Sequence, residues 1–116
     1  MPATFSANMT VLPELVGERI EMPVTFPGKT PNLDGLRKAI EPHLDGQKLE
    51  HVAVLWHGRR CSMFVGETST IDGRIRNVEA TAIYRNNWLS QHPETDPEEL
   101  PPICGPAVLF DRNVWF

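Results

Sequence analysis

Alternation of period two runs through "ERIEMPVTF": Ile20, Met22, Val24 and Phe26 fall on one face, Arg19, Glu21 and Thr25 on the other. That pattern predicts a half-buried strand, and Pro23, with no N–H to donate, places it at a sheet edge. The preceding stretch, 1–15, shows no sustained period and carries Pro2 and Pro13, so it reads as a loose N-terminal arm or a short edge element. "PGKTPN" then breaks the chain. Beyond it Leu33, Leu36, Ile40 and Leu44 recur at helical spacing, with Asn32 as N-cap and Asp34 suited to the first-turn dipole. A helix is expected over 33–44, and Pro42 must end or kink its last turn because it removes an interior hydrogen bond.

"LEHVAVLWH", "GRR" and "CSMFVGE" read as strand, tight reversal and strand, a β-hairpin over 49–67. A polar connection with a turn at Asp72 and Gly73 follows. Asn77 then caps a second helix, about Val78 to Gln91. The stretch 92–102 is acidic, holds four prolines and lacks apolar periodicity, as a surface loop does. "ICGPAVLF" is a last buried strand, and "VWF" either folds back as a short final strand or leaves an aromatic edge for a homo-oligomer. The order strand, helix, strand, strand, helix, strand predicts one α+β domain over 1–116. In it, two helices cover one face of a mainly antiparallel sheet, with the ferredoxin-like β-α-β-β-α-β topology as the specific candidate.

Composition narrows the function. A chain of 116 residues suits a single domain, and its eleven prolines, about twice the usual share, call for long loops. A formal charge of -4 argues against holding nucleic acid by broad phosphate neutralisation. No apolar run approaches the ~20 residues of a membrane span, and no leader pattern opens the chain, so a soluble cytoplasmic protein with no membrane partner is expected. Cys61 and Cys104 are too few for a disulfide framework and read as reduced thiols. His43, His51, His57 and His92 show no metal-ligand spacing, and no Walker, GxGxxG or GxSxG motif occurs; no metal, cofactor or catalytic residue is assigned, and an enzyme is the less favoured reading.

One constellation stands out. In the second helix Val78, Ala82 and Leu89 share an apolar arc, flanked by Ala80, Tyr84 and Trp88, while Asn77, Thr81 and Arg85 form a ridge at i, i+4, i+8. A guanidinium on such a ridge needs a partner. The partner is either an internal carboxylate, with Glu67 the first choice, or an anion drawn to the helix N-terminus with Arg74 and Arg76 arriving from the loop. The candidate ligand-binding set is therefore Glu67, Arg74, Arg76, Asn77, Thr81, Tyr84 and Arg85. Arg59 and Arg60, at the hairpin tip behind Trp56, are the nucleic-acid candidates, and the acidic residues Glu94, Asp96, Glu98 and Glu99 have the charge to imitate phosphates.

Three stretches, "MFVGE" (Met63 to Glu67), "RNVEATAIYR" (Arg76 to Arg85) and "ICGPAVLF" (Ile103 to Phe110), together resemble a family of small domains of unknown function carried by bacteriophages, plasmids and other bacterial mobile elements. The resemblance covers about Leu33 to Phe116. The chain departs from it at Gly66, where the family often has Asn or Asp, and in "TSTIDGRI", where the family has a compact Gly-rich turn. It implies a mobile-element origin rather than a chemistry, and it falls on Glu67, Asn77, Thr81 and Arg85. The resulting expectation is a non-enzymatic accessory protein that binds a host protein or sequesters a small anionic ligand, as in countering a defence system. A nucleic-acid-associated protein and an unrecognised small enzyme are the alternatives.

Overall fold

Thr4–Leu12 (β1), read from the sequence as a loose arm or a short edge element, is a nine-residue interior strand in the computed structural model, which describes residues 3–13, 19–66 and 75–116. Phe5, Ala7, Met9 and Val11 do alternate with Thr4, Ser6, Asn8 and Thr10, but the small Ala7 and polar Asn8 weaken the signal. What makes the strand is pairing on both sides, with β2 (Ile20–Pro27) and β5 (Ala107–Phe110). The hairpin strands β3 (Leu49–Trp56) and β4 (Arg59–Gly66) complete a five-stranded sheet in the order β2-β1-β5-β4-β3, with every neighbouring pair antiparallel. The strand bearing Pro23 is at the edge, as expected.

The helices are α1 (Leu33–Ile40) and α2 (Val78–Gln91), so the α+β class and the β-α-β-β-α-β run are present as β2, α1, β3, β4, α2, β5. Two expectations are corrected. First, β1 precedes that run and inserts between β2 and β5, which gives a strand order other than the ferredoxin-like one. Second, the helices lie on opposite faces. Val11, Val108 and Phe64 are register partners and join Leu36, Ile40 and Leu44 in one core. The next residues along each strand, Leu109 and Met63, join Ala80 of α2 in another. Adjacent strand residues point to opposite faces, so central strands β4 and β5, apolar at consecutive positions, demand a cover on both sides.

Local signals decide the element ends. Asn32 caps α1 by accepting from the Gly35 N–H at 2.7 Å. Pro42 ends the α-helix at Ile40, and Glu41–Leu44 tighten into a 3-10 turn whose Leu44 is still buried. The hairpin reverses at His57 and Gly58, both at positive φ (51° and 75°), the mirror-image turn geometry that follows strand twist. Arg59 and Arg60 are therefore the first residues of β4, not the tip.

The expected arc on α2 is also corrected. Val78 is 64% exposed, Ala82 is exposed and Leu89 only half-buried, while Asn77, Ala80 and Thr81 are buried. A wheel sorts residues into stripes without saying which stripe meets the protein. Here the polar ridge faces inward because a chain segment, 92–106, runs back beside α2 and brings unpaired backbone groups with it. That segment makes a 3-10 turn at Pro97–Glu99, capped by Asp96. "VWF" folds back without forming a strand: Val114 is fully buried, Trp115 stacks on His51 at 5.0 Å, and Phe116 meets Phe5 edge-on at 5.8 Å.

Candidate functional site

The predicted ridge is assembled, and its partners are main chain. The Asn77 carboxamide uses its oxygen to cap Ala80 N–H (3.0 Å) and its nitrogen to donate to Leu12 O (3.1 Å) and Gly105 O (3.0 Å). Its backbone N–H donates to Ile103 O. One side chain thereby joins a helix start, the end of β1 and the entry to β5. One turn on, the Thr81 hydroxyl donates to Ile103 O (3.2 Å) and accepts from Ile103 N–H (2.9 Å). A further turn on, Arg85 Nη2 donates to Leu100 O at 3.0 Å, and Nη1 lies 3.7 Å from Glu98 Oε1.

Glu98 is 81% exposed, so that ion pair is screened and weak, whereas the carbonyl bond is part-buried and charge-assisted. Arg85 Nε is buried without a partner among the described residues. The ridge is thus a ladder of side-chain rungs holding a proline-rich segment whose sheet pairing, among the described residues, is limited to the single bridge at Cys104. Glu67 and Arg74 lie outside the described residues. Arg76 is exposed and makes an isolated bridge with Cys104, and Tyr84 packs half-buried against the α2-side core.

Beside this ladder a groove of about 290 Å³ opens between α2 and the β3 edge, lined by Leu55, Arg60, Tyr84, Asn87, Trp88 and Gln91 together with Ala53 and Val54. Asn87 forms its floor in an unusual role. Its Oδ1 accepts from Leu55 N–H (3.0 Å) and its Nδ2 donates to Ala53 O (3.2 Å), so the carboxamide replaces the peptide group of a missing neighbour strand. Glu41 does part of the same at Leu49 N–H, through Oε2 at 3.0 Å. An open strand edge invites pairing, and side-chain cover blunts it. Trp88 is fixed by a bond from Nε1 to Thr95 Oγ1 (3.3 Å) and by stacking with His92 at 4.3 Å.

The nucleic-acid candidates do not form a patch: Arg59 pairs with Trp56 and Arg60 with Leu55, and consecutive strand residues face opposite ways. Cys61 and Cys104 are free thiols. Burial above all, then the charge of Asp111, raises the Cys61 thiol above its ordinary value against a smaller opposing effect of Arg59, which suppresses the nucleophilic thiolate. Among the described residues no group of three or more His, Cys, Asp or Glu side chains is arranged to hold a metal, and no helix is long and apolar enough to cross a membrane.

A second cleft, also about 290 Å³, is absent from the sequence expectations: Asn8, Thr10, Glu21, Met22, Pro23, Trp56 and Asp111 line it. These residues come from three strands and the turn after β5. The one signal for it was the polar half of the β1 alternation, which goes unread when β1 is taken as an arm. No family model, curated protein or solved structure matches the chain.

Proposed function

We propose that this chain is a non-enzymatic accessory protein of phage or plasmid origin that acts by binding a host protein through the groove between α2 and β3, with an anti-defence role as its setting. The observation that carries this reading is the composition of the groove. Tyr84, Trp88 and Arg60 are of the three residue types that dominate protein–protein hot spots, and Leu55, 40% exposed, adds an apolar contact beside them. The residues first considered for a small anion point elsewhere: Asn77 and Thr81 are buried and spent on backbone groups, and Arg85 is held by Leu100. Protein binding is accordingly preferred to anion sequestration. The origin and the host setting rest on the family resemblance alone.

The test is quantitative capture from a bacterial host extract with the intact chain and with Arg60→Glu and Leu55→Glu variants of matched thermal stability. A protein retained by the parent and lost from both variants supports the proposal. Identical retention by all three sinks it. Native mass spectrometry of protein purified from cells checks the competing reading, which requires a retained anion and predicts a mass above that of the bare chain.

A further inference from the structure

We propose that the cleft on the α2-facing side of β1 and β2 is a binding site for an organic cation, an ammonium or guanidinium group. Four of the seven residues that line it, Asn8, Thr10, Glu21 and Asp111, carry side-chain oxygen acceptors. Asp111 has its carboxylate fixed by Asn8, whose backbone N–H donates to Oδ1 (3.0 Å) and whose Nδ2 donates to Oδ2 (3.1 Å). That double contact orients the carboxylate without neutralising its charge, and it leaves Asn8 Oδ1 as a further acceptor. Glu21, exposed on β2, adds a second carboxylate, and Trp56 supplies an aromatic wall.

A second observation is independent of charge. Thr10 is 5% exposed, lines the cleft, and its hydroxyl has no hydrogen-bond partner among the described residues. The hydroxyl is not one of the fully enclosed unpartnered atoms among the described residues, which are Arg85 Nε and His92 Nδ1, so it opens onto the cleft within reach of a ligand donor. Among the described residues no Lys or Arg lines the cleft. Arg19, two residues before Glu21 at the entry to β2, is engaged by Glu79 of α2, and no ion pair joins an Arg or Lys to Glu21 or Asp111 among the described residues.

The chemistry of the ligand follows from this donor and acceptor inventory. Two carboxylates, an amide oxygen and a hydroxyl oxygen ask for several N–H donors on a cation, and an ammonium brings three while a guanidinium brings five. The Trp56 ring attracts a cation over its face and favours an organic ion over a strongly hydrated metal. An anion is repelled by both carboxylates. The site shares no lining residue with the α2–β3 groove, so it stands or falls separately from the proposed function.

The test is a ¹H–¹⁵N NMR titration of the intact chain. N-acetyl-lysine methylamide and N-acetyl-arginine methylamide stand for protein side chains, and ethylammonium and ethylguanidinium stand for free cations. The expected result is saturable shifts at Asn8, Thr10, Glu21, Asp111 and the Trp56 indole, with affinity about tenfold weaker in Glu21→Gln, as loss of a charge-assisted contact implies. Glu21 is exposed and its side chain makes no hydrogen bond or ion pair among the described residues, so that variant keeps its structure; Thr10→Val gives an independent loss. Saturation by the capped residues alone assigns the site to a partner's side chain, and saturation by the simple cations assigns it to a free ligand. Absence of saturable shifts with all four probes, equal affinity in Glu21→Gln, or the same shifts with magnesium chloride would overturn the proposal.

Discussion

Thr81 and Ile103 exchange two hydrogen bonds through one hydroxyl, which donates to the Ile103 carbonyl and accepts from the Ile103 N–H. In effect a helix side chain supplements the short backbone bridge at Arg76 and Cys104, serving an Ile103 N–H that the bridge leaves over. Removing the hydroxyl leaves the Ile103 N–H unpaired in a part-buried setting, while the Ile103 carbonyl keeps the Asn77 N–H at 2.8 Å. Thr81→Val should therefore cost about 1 to 3 kcal/mol of unfolding free energy in urea denaturation, the range for one backbone group left unsatisfied. Thr81→Ser should recover most of it, and equal losses in the two variants would show that packing of the methyl group dominates.

Arg85 belongs to the same ladder. Arg85→Met keeps the aliphatic stem and removes the bond to Leu100, so it should destabilise by about 1 to 3 kcal/mol with little dependence on salt. A strong salt dependence would instead point to the exposed Glu98 as the main partner.

Asn87→Ala should have a consequence beyond stability. It frees Ala53 O and Leu55 N–H on an edge strand, and the expected outcome is a monomer–dimer equilibrium in sedimentation velocity that the parent chain lacks. Asn87→Asp retains the acceptor toward Leu55 and loses the donor toward Ala53, so its behaviour should fall between the two.

His51 makes stability depend on pH. The hydroxyl of Ser62 donates its single proton to Asn113 Oδ1 (3.0 Å) and accepts from Val114 N–H (3.0 Å). His51 Nε2, 3.1 Å from that oxygen, must therefore be the donor, which leaves Nδ1 to take up the titrating proton. Burial lowers the His51 pKa from its usual 6.5. The unfolded chain thus binds a proton at a pH where the folded chain does not, so the contribution is present above pH 6.5 and is lost as pH falls through the folded value. Denaturation midpoints across this range should fall with acidity, and His51→Gln should flatten the slope.

DNA should not be retarded in a mobility-shift assay at moderate salt, because Arg59 and Arg60 diverge and the chain carries a net charge of -4. Retardation that fades steeply with salt would revive the nucleic-acid reading.

Local chemistry was legible in advance. Asn32 and Asn77 announced helix starts because a short polar side chain before an apolar periodic run satisfies free N–H groups, and Pro42 announced an early end because it cannot donate. The alternation around Pro23 marked an edge strand, and the hairpin followed from two β-rich runs. The ridge Asn77, Thr81, Arg85 was legible as a set, since spacing of four on a helix aligns residues whatever surrounds them. Its partners were not, because Leu12, Leu100, Ile103 and Gly105 contribute backbone atoms that look alike at every position.

Two further features needed the fold. Which face each helix covers depends on the way out of β2 and β4, and β1 becomes a strand only because β2 and β5 flank it. The cleft of Thr10, Glu21, Trp56 and Asp111 exists for the same reason. Secondary structure is written in spacings of two to four residues, whereas a site is written in contacts between residues a hundred positions apart, as Asn8 and Asp111 are, and only the closed sheet brings those together.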